Sequence, residues 1–459
     1  MRHAQTIMCL ATTLALGCPG SPGGDETTDG DPGTTTDAAT TTSTGEDPGA
    51  SETAPTTSDS TTAAPTTSGS PSGCGDGALG DGEACDDGNA IQGDGCNNDC
   101  QPSGELLAEF RSLVPGTEWI HDVAVTAGGD VIVAGQQGRD RWVAGFDAQL
   151  SPQWSQTYSE TEWLEVASSV AVKDDAIFVV GSVHAEQPTN PSTAVRKTWI
   201  AQLGPTGEVV WEDAWISEFG DSYGTQIAAT DDGDLVIAGF MSVSATSTGM
   251  FARRYTADGE VLWTASHSMA AEMHAIWPIG PGLAVTPEAV YVGFAVFGMS
   301  PSEETLVTFA PGDGAELWSR GLDSFGSSIK GAAAADAGEL VVISSGGDPQ
   351  KIFARRVTED GDIAWTSNAC TGTVGRAIAF DPSGDVVIIG DGPGDVGTNI
   401  RLCRFAPDGA LKWGKDIDGG EDADLGYAVT IAPGGQIVAG GVMDGGASAL
   451  DAWLAVYSP

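Results

Sequence analysis

Basic residues are scarce in this chain. Only 19 Lys and Arg stand against 64 Asp and Glu, a formal charge of −45, and none occurs between Arg2 and Arg111. Such a surface repels phosphate backbones, so a nucleic-acid partner is excluded. Long apolar runs are also missing: the stretch from Ile7 to Leu16 is too short to cross a bilayer, and no other segment is apolar enough. The sequence contains no G-x-S-x-G elbow, no H-E-x-x-H pair and no Gly-rich phosphate loop followed by Lys. The five histidines (His3, His121, His184, His267 and His274) show no metal-ligand spacing and read as structural or exposed. No residue stands out as catalytic, and no cofactor is expected beyond the calcium considered below.

At the N-terminus, Arg2 and His3 precede the short apolar run, which ends in "ALGC" at Cys18. Residues 1–18 therefore read as a signal peptide. "ALGC" resembles the lipobox of bacterial lipoproteins, with Ala15 where Leu is usual. That resemblance implies acylation of Cys18 and, with Pro19 rather than Asp following, an outer-membrane or cell-surface destination. A freely secreted chain is the alternative. The lipid anchor is the only membrane contact expected.

Residues 19–73 are almost wholly Thr, Ser, Gly, Pro, Ala, Asp and Glu, without an aromatic residue. This composition cannot bury enough surface to offset the entropy of ordering, so the segment reads as a disordered tether. As a flexible coil it would span roughly 40 Å. Its Thr and Ser residues are candidate O-glycosylation sites.

Residues 74–103 contain Cys74, Cys85, Cys96 and Cys100 but too few apolar residues for a core. In an exported chain, four such cysteines imply two disulfides of undetermined connectivity. Zinc is the weaker reading, because His ligands and C-x-x-C knuckles are both lacking. Among the glycines, Asp86, Asp87, Asn89, Asp94 and Asp99 supply the oxygen chemistry of a Ca²⁺ site without EF-hand spacing. Solvated turns use the same residues. The stretch "CGDGALGDGEACDDGNAIQGDGCNNDC" resembles the cysteine-rich repeat of myxobacterial surface proteins, which implies a disulfide-bonded extracellular module.

After residue 104 the chain becomes periodic at about 50 residues, the signature of a repeat architecture. A Val/Ile-rich run recurs seven times, from "GGDVIVAG" (128–135) to "GGQIVAGG" (434–441). Each reads as a strand buried on both faces. A small-residue strand such as "HDVAVT" (121–126) precedes each run, and a strand such as "WVAGF" (142–146) follows it. Six repeats then add a strand ending in Trp, and five of these carry a Gly four residues before it, as in "GEVVW" (207–211). The first instead reads "LSPQW" (150–154), and the seventh repeat stops at "WLAVYSP" (453–459) without such a strand. "GELLAEF" (104–110) stands alone ahead of the first repeat with the same frame. The fold class is thus all-β: a seven-bladed β-propeller over residues 104–459, closed by its N-terminal strand. The repeats resemble bacterial propellers of the quinoprotein-like and outer-membrane-assembly type. Quinone-dependent dehydrogenases usually have eight blades and an adjacent Cys pair, and this chain has neither.

Six blade-entering loops pair an acid with a nearby apolar residue: Glu118, Glu162, Asp221, Glu272, Asp323 and Asp424. In a closed ring they would surround one channel mouth and attract a cation or a basic partner. Capping of local turns is the alternative role. Cys403 occupies the place of Ala144, Ala201 and Ala252 and reads as a small core residue, with a disulfide to Cys370 also open. The expectation for function is a monomeric, non-enzymatic surface lipoprotein binding a protein or glycan. An exported enzyme, quinoprotein-related or a carboxylate-based hydrolase, and an outer-membrane assembly scaffold are the alternatives.

Overall fold

Runs rich in β-branched residues pair into sheets wherever a Gly-containing turn reverses the chain. Hydrogen bonds between Thr126 and Asp130, with Gly129 at φ +92°, close one such hairpin. In the second blade Asp174 and Asp175 both adopt positive φ and make a two-residue turn instead. In the computed structural model the described residues are 73–112, 118–184, 195–244, 247–268, 282–296, 303–322, 329–334, 340–347, 349–394, 397–420, 423–444 and 450–459. Cys18 and the tether up to residue 72 lie outside them.

The strands form seven four-stranded antiparallel sheets. In the first blade Glu118–Val125 is innermost, followed outward by Val131–Gln137, Asp140–Phe146 and Pro152–Tyr158. The second strands are buried almost throughout, as in Ala176–His184, because a neighbouring blade covers each face. The seventh blade takes its fourth strand from the N-terminus. Leu106–Arg111 pairs antiparallel with Leu450–Tyr457, with Glu109 opposite Ala455 and Phe110 opposite Leu454. The core accordingly divides into seven clusters, each bridging two adjacent blades, the last and first included. No seam lacks a core.

Blade-to-blade contact explains the Gly-x-x-x-Trp spacing. Gly207, Gly259, Gly314, Gly361, Gly409 and Gly104 all take positive φ. A Cβ on any of them would come within 2.6–3.3 Å of an indole atom of the preceding blade's Trp154, Trp211, Trp263, Trp318, Trp365 or Trp413. Both the turn and the indole therefore require Gly. The indoles also tie the blades: Trp263 Nε1 donates to Pro311 O at 2.7 Å and Trp211 Nε1 to Ala257 O at 2.9 Å.

Disulfides join Cys74 to Cys100, Cys85 to Cys96 and Cys370 to Cys403. Cys403 is thus both a core residue and a bridge. The three bonds point to an oxidising, exported destination. No helix among the described residues is long and apolar enough to cross a membrane. The small cysteine-rich segment docks on the rim where the innermost strands end. There Ser458 Oγ donates to Pro102 O at 2.8 Å, Lys415 Nζ donates to Gly104 O at 2.8 Å, and Gly93 packs on the Arg404 guanidinium.

Candidate functional site

The innermost strands are not regular. In six of the seven, the register against the second strand slips by one residue near the start, and the extra residue is His121, Ser168, Thr225, Lys330, Arg376 or Tyr427. A bulge of this kind re-aims the side chain it carries. All six side chains line a single cavity of about 350 Å³. Val166, Arg196 and Tyr223 complete its wall from the rim where the innermost strands begin, opposite the rim that carries the cysteine-rich segment.

Charge and aromatic surface are organised around Arg376. Its guanidinium grips Asp391 with both Nε (2.9 Å to Oδ1) and Nη2 (2.6 Å to Oδ2) and lies 4.5 Å from the centroid of Tyr427. Burial opposes charge on Arg376, but the Asp391 carboxylate outweighs it and holds the guanidinium above its usual pKa. Trp119 and His121 pack on the same Tyr427, each 5.6 Å away between ring centroids. Burial, helped by nearby Arg376, pushes the His121 pKa down to about 4 against a hydrogen bond to Gln136, so the imidazole is neutral. Among the described residues its buried Nε2 has no hydrogen-bond partner. Burial and Arg376 likewise push the Lys330 ammonium down to about 7, with Asp391 opposing.

The described acids of the blade-entering loops stand at or just before the start of the innermost strands. Glu118 is buried and accepts from Gln137 Nε2. Asp221 accepts the Arg196 amide at 2.7 Å, and Asp424 accepts the amides of Gly419 and Asp444. The Glu162 side chain is exposed, and only its backbone carbonyl is engaged, by Arg139 at 3.0 Å. In the second blade the residue three before the bulge, where Glu118 stands in the first, is Glu165, which is buried against Arg141 at 3.3 Å. Glu272 and Asp323 lie outside the described residues. None of the four described acids of the set lines the cavity.

In the cysteine-rich segment, Asp86 accepts the amides of Gly75, Asp76, Gly77 and Gly88, which together hold its pKa below the usual value. Asp87 accepts Cys96 N, Asn89 accepts Ile91 N, and Asp99 accepts Gln101 N. Asp94 keeps one buried oxygen unpaired. Among the described residues no three His, Cys, Asp or Glu side chains converge as a metal site.

Position, not residue type, marks the axial cavity, so the sequence pattern alone does not single it out. The one signal it carries is a Lys or Arg inside an otherwise small, uncharged inner strand, as in "SSIKGAAAA" and "TVGRAIAF".

No protein-family model matches this chain, and no curated protein does either. Among solved structures it is similar to virginiamycin B lyase from Staphylococcus aureus, with a TM-score of 0.50 and 12% identity over 77% of this chain and 99% of that one. It is also similar to a streptogramin B lyase, with TM-score 0.49 and 12% identity over 77% and 98% of the two chains. The Pan2 WD40 domain of Neurospora crassa gives TM-score 0.48 and 9% identity over 78% and 96%. At 12% identity the first of these likenesses is one of fold alone, and this chain's own sheets make a seven-bladed β-propeller.

Proposed function

We propose that this chain is an exported, lipid-anchored binding protein whose propeller seats its ligand in the axial cavity. One observation carries the reading: six blades each spend a bulge to turn one side chain into the same space. Bulges weaken a ladder locally, and six aimed at one point have a use in recognition. The cysteine-rich segment occupies the opposite rim and lines no part of the cavity. The Cys18 lipobox, the tether and the resemblance of residues 74–100 to a myxobacterial surface repeat support surface display.

The test is to fill the cavity. Thr225→Trp places an indole among the six bulge residues and should abolish retention of surface glycan extracts on the immobilised protein, with Tm within a few degrees of the parent. Retention unaffected by the plug would refute axial binding. An assembly scaffold would instead co-purify stably with a barrel protein, and its complex would survive Thr225→Trp. Cys18→Ala should release the protein from membranes into the soluble fraction.

A further inference from the structure

The axial cavity has a sign. Arg196, Lys330 and Arg376 line it and no Asp or Glu does, among the described residues, although acids outnumber bases by 64 to 19 in the chain. Arg376 is balanced by Asp391 behind the wall. Arg196 and Lys330 form no ion pair with a described carboxylate, and the Arg196 guanidinium rests 5.1 Å from the ring centroid of Tyr223. Among the described residues, Arg196 and Lys330 are two cations on a concave wall without a carboxylate in direct contact with their charged groups, Asp391 offsetting Lys330 only from a distance, and they favour an anion at the axis. An enclosed cation without a counter-charge is unfavourable in an empty site, and an arriving anion relieves that cost.

The remainder of the lining describes the body that carries the charge. Ser168, Thr225 and Gln226 offer neutral donors and acceptors. Tyr427, beneath Arg376 and packed by Trp119 and His121, contributes aromatic surface to the wall. A volume of about 350 Å³ is at the small end of ligand sites. A polyhydroxylated ring of sugar size suits hydroxyl and amide partners beside aromatic surface, whereas an inorganic anion would leave most of those groups unused.

We propose that the axial cavity binds a hexuronate-type ligand, a sugar carrying a carboxylate, with Lys330 and Arg376 of adjacent blades holding the carboxylate and the ring lying against Tyr427. This rests on the reading of the cavity as the binding site. The ligand is either a free uronic acid or one residue of an acidic glycan.

Calorimetric titration of the full chain with glucuronate, galacturonate, an oligogalacturonide, glucose and inorganic phosphate decides it. Binding of a uronate or of the oligouronide, at least tenfold tighter than glucose or phosphate and weakened at least tenfold by Lys330→Gln, supports the proposal. The preference between monomer and oligomer then identifies the source. Glucose binding as well as the uronates, abolished by Thr225→Trp, would overturn the acidic ligand and leave axial binding standing. Phosphate binding equally well would reduce the site to a general anion seat and overturn the sugar. No uronate heat at all overturns the proposal, while Thr225→Trp against glycan extracts still judges the cavity independently. Tm of Lys330→Gln checks that the variant is folded.

Discussion

Ala108 and Leu150 meet in one core cluster at the seam between the seventh and first blades, with their sizes exchanged relative to every other seam. At the other six, a Trp of one blade covers a Gly of the next. Here the Trp position holds Ala108, and the Gly position holds a buried Leu150 at φ +61°. Leucine is unfavourable in the left-handed region by roughly 1–2 kcal/mol. The cost is offset because its side chain is buried in this cluster, next to Phe110 and Phe146 with ring centroids 4.8 Å apart.

The two sites should therefore be coupled. Leu150→Gly alone is expected to lose about 2 kcal/mol, a cavity term of roughly 3 partly offset by relief of φ. Ala108→Trp alone should overpack the seam and cost about 1–3 kcal/mol. The double variant restores the common pattern and should be at least ~1 kcal/mol more stable than the sum of the single changes. Denaturant unfolding of the four proteins measures this, and additive losses would show that the pair is not a size exchange.

Ring closure gives the second expectation. Leu106–Arg111 covers the edge of Leu450–Tyr457, and Glu109 accepts the indole hydrogen of fully buried Trp453 at 3.0 Å. Removing Leu106–Arg111 exposes that edge and opens the cluster between the seventh and first blades. The loss should exceed ~3 kcal/mol, well beyond a typical single substitution. Phe110→Ala, at a half-buried ring, should cost about 2 kcal/mol. A calorimetric Tm unchanged by the deletion would mean the ring does not depend on this strand.

The closure is legible in the sequence because strand periodicity and turn glycines report backbone geometry directly. Seven buried runs against six Trp-type strands expose the displaced one. The cavity is not legible in the same way. His121, Ser168, Thr225, Lys330, Arg376 and Tyr427 share a bulge position but no chemistry, so nothing in composition groups them. The acids beside apolar residues are conspicuous, yet Asp221 and Asp424 pin loop amides. Glu165, which occupies the place of Glu118, escapes the pattern because Glu162 lies closer in sequence to an aromatic residue. Disulfide pairing follows from spatial proximity, which spacing alone does not encode.

Asp122 supplies a pH test of the blade contacts. Its Oδ2 accepts Ser169 Oγ at 2.5 Å and Val170 N at 3.0 Å from the next blade. Burial nevertheless pushes its pKa up to about 6 from 3.8, the hydrogen bonds opposing. Between those values the folded protein binds more protons than the unfolded chain, so this group's contribution is greatest below about pH 4 and is lost as pH rises towards 6. Two units amount to about 3 kcal/mol. Asp122→Asn keeps an acceptor for Ser169 and Val170 and should remove that slope. The stability difference between variant and parent should shift in the variant's favour from pH 4 to 6.5 and then stay flat. A difference independent of pH would show that Asp122 titrates normally.

Lys330 gives the opposite slope and ties stability to ligand. Its folded pKa of about 7 lies far below the usual 10.5, for the reason that burial and Arg376 disfavour its charge. The unfolded chain therefore holds the extra proton between about pH 7 and 10, and stability should rise with pH through that window. Lys330→Gln should accordingly be more stable than the parent at pH 6, with the advantage shrinking towards pH 10. The groups facing Lys330 do not confuse the reading. Arg376 stays charged beside Asp391, His121 is neutral above about pH 4, and burial pushes the Tyr427 hydroxyl up to about 12. A bound carboxylate would stabilise the Lys330 ammonium and raise its pKa, so uronate binding above pH 7 should take up a proton. Affinity should then fall by up to tenfold per pH unit from about 7 upward until the raised bound-state pKa is reached. Titrations in buffers of different ionisation enthalpy count that proton directly. Affinity that is flat from pH 6 to 9, with no proton taken up, would remove Lys330 from the carboxylate seat.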